Sequence, residues 1–163
     1  MNDVNLNAVH LNDVEAAVMA HPFFAGLDPR LTARVVPLAH PVEYSATAWI
    51  ARVGTPADRF LLVTGGRVGI EIAAADRDPL IVTTVHAGEV VGWSWFVEPH
   101  EWHFDVVALS DVTALAIDAE ALRAACVADH EFGYQMGSRL IRVVASRLGA
   151  TRHQVVDVYG RAR

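Results

Sequence analysis

A chain of 163 residues, 53% hydrophobic and 20% charged, is long enough to bury one core and too apolar to remain disordered. No apolar run approaches the ~18–20 residues that span a bilayer, and the polar, Asn-rich start has no basic-then-apolar order of a secretion signal, so one cytoplasmic domain off the membrane is expected. The net charge of −6 hides a basic end: residues 139–163 hold six arginines against one acid, Asp157, which reads as a solvated helix face behind an acidic body that would repel duplex DNA.

After the polar tail 1–12, residues 13–36 read as helices. Val14, Ala17, Val18 and the Phe23-Phe24 pair share an apolar face behind Asp13, and His21-Pro22 interrupts them. Asp28-Pro29 opens a short helix through Val35-Val36, closed by Pro37. From 41 to 117 the pattern becomes short β-prone runs at 42–44, 48–52, 60–64, 67–73, 80–85, 104–109 and 112–117, with turn residues between them. That spacing predicts an antiparallel β-roll of about eight strands, jelly-roll-like, with Gly65-Gly66 as a hairpin turn. Over 118–150 the chain returns to helix: Asp118 caps one helix through Cys126, and Asp129 caps a longer one. The single cysteine, Cys126, reads as a buried, inert thiol. In the longer helix Leu140, Val144, Leu148 and Val155 form a narrow seam that predicts a homodimer. Gly149 marks where that helix frays or ends, leaving 151–163 as a basic extension. The fold class is therefore α+β: one domain, 13–150, with helices on both sides of the roll.

Five segments in order carry a resemblance. They are His21-Pro22-Phe23-Phe24-Ala25-Gly26-Leu27, the run Asp58 to Ile70 across Gly65-Gly66, Gly88-Glu89-Val90-Val91-Gly92, Ala108-Leu109-Ser110-Asp111, and the stretch closing on Ile117-Asp118. Together they resemble cyclic-nucleotide-binding domains of the catabolite activator/FNR superfamily. The resemblance implies a phosphate-binding cassette: a Gly-Glu pair, two apolar residues, a second Gly-Glu opening a short helix, then an Arg and a Ser or Thr. Amides at the helix start would cradle the cyclic phosphate, the second Glu would accept from the ribose, and the Arg would pair with the phosphate charge. Carried over, Gly88, Glu89 and Gly92 match, with Ser94 nearby. Trp93 stands at the second Glu, Trp102 at the Arg, His103 at the Ser/Thr and Phe104 at the following small residue. A one-residue shift would put His103 at the Arg position, and neither alignment restores an Arg. Losing a buried charge partner costs ~2–5 kcal/mol and losing the ribose acceptor ~1–3 kcal/mol, enough to turn a micromolar site millimolar.

Trp93, Trp95, Phe96, Trp102 and Phe104 put five aromatics into twelve residues. They read as filling the vacated pocket, with a flat or apolar ligand as the alternative. If the pocket is closed, Glu89 or Asp105 is expected to meet the amides of Trp93 and Ser94. His86, Glu89, His100 and His103 raise a cupin-like metal enzyme as a competing class, although the His-x-His spacing is missing. A haem axial histidine at His86 or His103 is a weaker option still, and a transcription regulator would need a separate DNA-binding partner. The expectation is a non-enzymatic regulatory or sensor domain. It would use no catalytic residue, metal or cofactor, and would work through a partner protein with its small-molecule ligand, if any, unidentified.

Overall fold

The structure, a computed structural model, describes residues 13–73 and 79–160, with side chains as far as residue 149. The first helix, α1 over 13–20, buries Val14 and Val18 and stops at His21-Pro22, where the chain turns through a 3-10 segment, Pro22–Phe24. Asp28 accepts the Arg30 amide and opens α2, Pro29–Thr32. This helix is shorter than its sequence suggests. Pro37 does not close it but lies inside a second 3-10 turn, Val36–Leu38, near whose start a residue without an N–H loses no bond.

Eight strands follow, in two antiparallel sheets. The first is ordered β1 (Ala39–Tyr44), β8 (Val112–Asp118), β3 (Arg59–Gly65), β6 (Val90–Val91). The second is ordered β2 (Trp49–Ala51), β7 (Asp105–Ala108), β4 (Arg67–Ile72), β5 (Leu80–His86). Seven of them are the seven runs read from the sequence. The eighth, β6, is two buried residues, too short for a period-2 pattern to show. Residues Phe60 to Val63 on β3 are buried consecutively, as expected for a central strand covered on both faces.

The Gly65-Gly66 turn is not a hairpin within one sheet. Strands β3 and β4 belong to different sheets, and Gly66, at φ +82°, carries the chain across. A Cβ there would lie 2.1 Å from the Asp111 carbonyl oxygen, so only glycine fits.

Asp118 accepts the Ala121 amide at 2.7 Å and caps α3, Ala119–Ala128. Asp129 accepts the amides of Glu131 and Phe132 and opens α4, His130–Gly160. The long helix does not end at Gly149. One glycine costs a helix only ~1 kcal/mol, and this helix is anchored by Phe132, Met136 and Leu140, all buried against the roll. Leu140, placed on the dimer seam by its spacing, is therefore a core residue, 3% exposed. The large hydrophobic side chains that α4 leaves outside, among the described residues, are Tyr134, Ile141, Val144 and Leu148, while the side chain of Val155 lies outside the described residues. Cys126 is half-buried, and burial pushes its thiol up to about 11, which keeps it protonated. Among the described residues no helix is long and apolar enough to cross a membrane.

Candidate functional site

The segment from β5 through β6 into the 3-10 turn Trp93–Phe96 carries the residues singled out by the cassette pattern. Gly88, at φ +87°, turns the chain, and its amide donates to the Val63 carbonyl at 2.8 Å. Gly92, at φ +98°, is the N-cap of the 3-10 turn. A Cβ at Gly92 would lie 2.7 Å from Cη2 of Trp102 and 3.0 Å from the Arg59 carbonyl oxygen. The indole of Trp102 is thus laid directly on the glycine, and Trp102 is 4% exposed.

Around that contact the structure brings together Gly92, Trp93, Ser94, Trp102 and Phe104, with Ile70 and Val106 behind them. The space they enclose is about 10 Å³, at the lower limit of what admits a single water molecule. His103 lies outside it: its Nδ1 is 3.1 Å from the buried Ser94 hydroxyl, and its ring stacks on Trp93 at 4.8 Å. Trp95 is fully buried and tilts against Phe60 at 5.8 Å. Of the five aromatics, Trp95 and Trp102 are core, Trp93 and Phe104 are half-buried, and Phe96 is exposed.

Gly88 and Glu89 do not line this remnant. Glu89 Oε2 accepts the His86 amide at 2.7 Å within its own loop, and Asp105 Oδ1 accepts the Val53 amide at 2.8 Å and Arg52 Nε at 3.1 Å. The expectation that one of these carboxylates meets the amides of Trp93 and Ser94 is therefore corrected. Both are held by donors nearer to them, one in the β5–β6 turn and the other after β2. His86, Glu89, His100 and His103 are not drawn together either. Among the described residues no three His, Cys, Asp or Glu side chains are grouped to hold a metal.

One residue at the site escaped the sequence. Arg147, on α4, reaches the wall of the remnant and donates through Nη2 to the Val90 carbonyl. Burial lowers its pKa from the ordinary value, partly opposed by the Glu89 carboxylate. Arg139 is also buried and donates to the Ala25 carbonyl at 3.2 Å. The basic end is thus not simply a solvated face. The available signal was spacing: Arg147 falls seven residues after Leu140, on the inward stripe of α4.

The sequence profile of the cyclic nucleotide-binding domain family matches residues 41–129, which spans β1 to the end of α3. The chain belongs to that family. A curated relative, the CRP-like cAMP-activated global transcriptional regulator of Mycobacterium tuberculosis, is 25% identical over 83% of this chain, and the chain spans 58% of that protein's length. Among solved structures, a cyclic nucleotide-binding domain from Methylobacillus flagellatus superposes with TM-score 0.74 at 14% identity, covering 91% of this chain and 84% of the other. The regulatory subunit of a cAMP-independent protein kinase A from Trypanosoma cruzi, bound to guanosine, superposes with TM-score 0.69 at 18% identity, covering 96% and 53%. In this cyclic nucleotide-binding domain the roll is complete, and the family's function is regulatory in kind.

Proposed function

We propose that this chain is a non-enzymatic regulatory domain that does not hold cyclic AMP or cyclic GMP in the family's usual way and acts through a partner protein. The observation that carries the reading is the Trp102 indole lying on Gly92, with Trp102 at the position where the resemblance to the family's cassette implies an arginine for the cyclic phosphate. An indole offers one N–H and no charge, so it cannot pair with a phosphate as a guanidinium would. Trp93, at the ribose-binding Glu position, supplies no acceptor. Two absent side-chain partners cost ~3–8 kcal/mol together, and a tenfold loss needs only ~1.4 kcal/mol.

A second reading is favoured by a specific feature. Beside the closed end lies a cavity of about 280 Å³ between β4, β5 and α4, lined by Ile70, Ile72, Val82, Trp93, Phe104 and Leu148 among others. Its walls suit a flat or apolar ligand without a phosphate. The guanosine bound to the Trypanosoma cruzi subunit makes a nucleoside a reasonable probe of it.

Calorimetry with cyclic AMP, cyclic GMP and guanosine tests both readings. Dissociation constants weaker than ~1 mM for the two cyclic nucleotides are expected. Micromolar affinity for either would overturn the first reading. Saturable guanosine binding with no cyclic nucleotide binding would favour the second.

A further inference from the structure

An open sheet edge is a template for another strand, and folds blunt such edges with proline, charge or short length. Of the four edge strands here, β1 carries Pro41 and Glu43, β2 is three residues long, and β6 is two residues long with its Val90 carbonyl met by Arg147. β5 has none of these guards. It is seven residues long, without proline, and uncharged from Leu80 to Val85, and among the described residues no strand lies beyond it. We propose that an extended, uncharged segment of a partner protein adds to the free edge of β5 and sets its apolar side chains in the cavity beside that strand. This rests on the reading that the domain acts through a partner, and it names the surface and the kind of partner.

The backbone shows which groups stand open. Arg67 on β4 turns toward β7: its amide donates to Ser110 Oγ at 3.0 Å, and its carbonyl accepts the Leu109 amide at 2.8 Å. His86, opposite Arg67 on β5, therefore points its own N–H and C=O away from β4. Glu89 meets both, accepting the His86 amide through Oε2 at 2.7 Å and donating its own amide to the His86 carbonyl at 3.1 Å. Thr84, two residues back and opposite Gly69, faces the same way by the alternation of an antiparallel strand. No described residue does for Thr84 what Glu89 does for His86, so its donor and acceptor stand open at the edge. One residue of an incoming strand satisfies both.

The side chains select the kind of segment. A residue paired with Thr84 shares its outer face, and the residues on either side of it fall on the inner face with Thr83 and Ile70. There lies the cavity of about 280 Å³, with Ile72, Val82 and Thr83 on the sheet side and Val144 and Leu148 on α4. Ile72, Leu80 and Ile81 extend the apolar strip outward, at 45%, 63% and 43% exposure. A charged strand would find no counter-charge along Leu80 to Val85, whereas alternating small polar and aliphatic residues match both faces. A second copy of β5 fits poorly. Two-fold pairing centred on Thr84 would set Val82 against His86, whose N–H and C=O are already held by Glu89.

Titration of the isotopically labelled full chain with an acetylated, amidated hexapeptide of alternating threonine and leucine tests this. Saturable amide shifts at Thr83, Thr84 and Val85 are expected, with a dissociation constant in the millimolar range or tighter and slowed hydrogen exchange at Thr84. The same peptide N-methylated at its threonines keeps its side chains and loses its edge-facing donors, and should bind at least about tenfold more weakly. Thr84→Pro should also weaken binding at least about tenfold while leaving the domain folded, because an edge strand tolerates proline where the N–H faces outward. Absence of saturable shifts, unchanged exchange at Thr84, or equal binding of the N-methylated peptide would overturn the proposal. So would a peptide that splits a dimer in light scattering, since the edge would then belong to a second copy. Calorimetry with the cyclic nucleotides decides the earlier reading whichever way the peptide behaves, so the two fail separately.

Discussion

Gly92 and Trp102 form one contact that neither residue makes sense without. Glycine is required at φ +98° in any case, and the approach of Cη2 leaves no room for a methyl group. Gly92→Ala should therefore destabilise the domain by ~2 kcal/mol or more, through strain and displacement of the ring together. Trp102→Ala should cost ~3–5 kcal/mol, the range for removing a large aromatic from a packed core. Urea denaturation measures both. A Trp102→Ala loss below ~1 kcal/mol would mean that the ring does not fill the site, and the proposed closure of the cassette would fail with it. The resemblance to the family's cassette singled out the glycine and the tryptophan in the sequence. Their contact was not legible there, because it joins residues ten apart across a turn and a loop.

At the scale of elements, α4 is the helix whose faces matter most. Its inward stripe runs Phe132, Met136, Leu140, and its exposed aliphatic side chains include Ile141, Val144 and Leu148, at 70%, 38% and 53% exposure. A heptad-like spacing cannot distinguish a stripe that packs on its own domain from one that packs on a second copy, and here it merged the two. We propose that Val144 and Leu148 make the homodimer contact, since an exposed apolar stripe on a lone helix invites association. Light scattering should give a dimer at micromolar concentration, and Val144→Glu with Leu148→Glu should give a folded monomer. Leu140→Glu should instead unfold the domain, by burying an unpaired charge. A double variant that stays dimeric would place the interface elsewhere.

Across the whole molecule, the flanking helices and the N-terminal turn are pinned to the roll at backbone carbonyls. Arg139 reaches Ala25, Arg147 reaches Val90, and Arg123 reaches Trp95 at 3.1 Å. From the N-terminal side His21 does the same at Val63, whose carbonyl also accepts the Gly88 amide. His21 is 5% exposed; its Nε2 lies 3.4 Å from the Val63 oxygen, and its Nδ1 accepts the Phe23 amide at 3.3 Å. Only a neutral ring can donate at one nitrogen and accept at the other. Burial accordingly holds its pKa below the ordinary 6.5. Above that value folded and unfolded chains are both neutral at this position, and stability is complete. As the pH falls through it, the unfolded chain takes up a proton that the native state resists, so stability drains away. Thermal melts from pH 8 down to pH 5.5 should show a falling midpoint, and His21→Gln should flatten that slope. An unchanged slope in the variant would assign the linkage to another group.

Composition and local pattern determined the α+β class, seven of the eight strands and both C-terminal helix caps. Each of these rests on physics within a few residues: period-2 alternation, an aspartate three residues before an amide, a glycine where φ is positive. The resemblance to the family's cassette assigned Gly88, Gly92, Trp93 and Trp102 to its positions, and the proposed function rests on that assignment. Tertiary structure alone decided what those positions do. It laid Trp102 on Gly92, split Glu89 from the remnant cavity, turned Leu140 inward, and carried Arg147 from a basic tail into the walls of three cavities. It also carried the chain across sheets at Gly66, where sequence pattern read a hairpin. These facts depend on which sheet a strand joins and which way a helix faces once the roll closes, and no window along the chain contains both partners of such a contact.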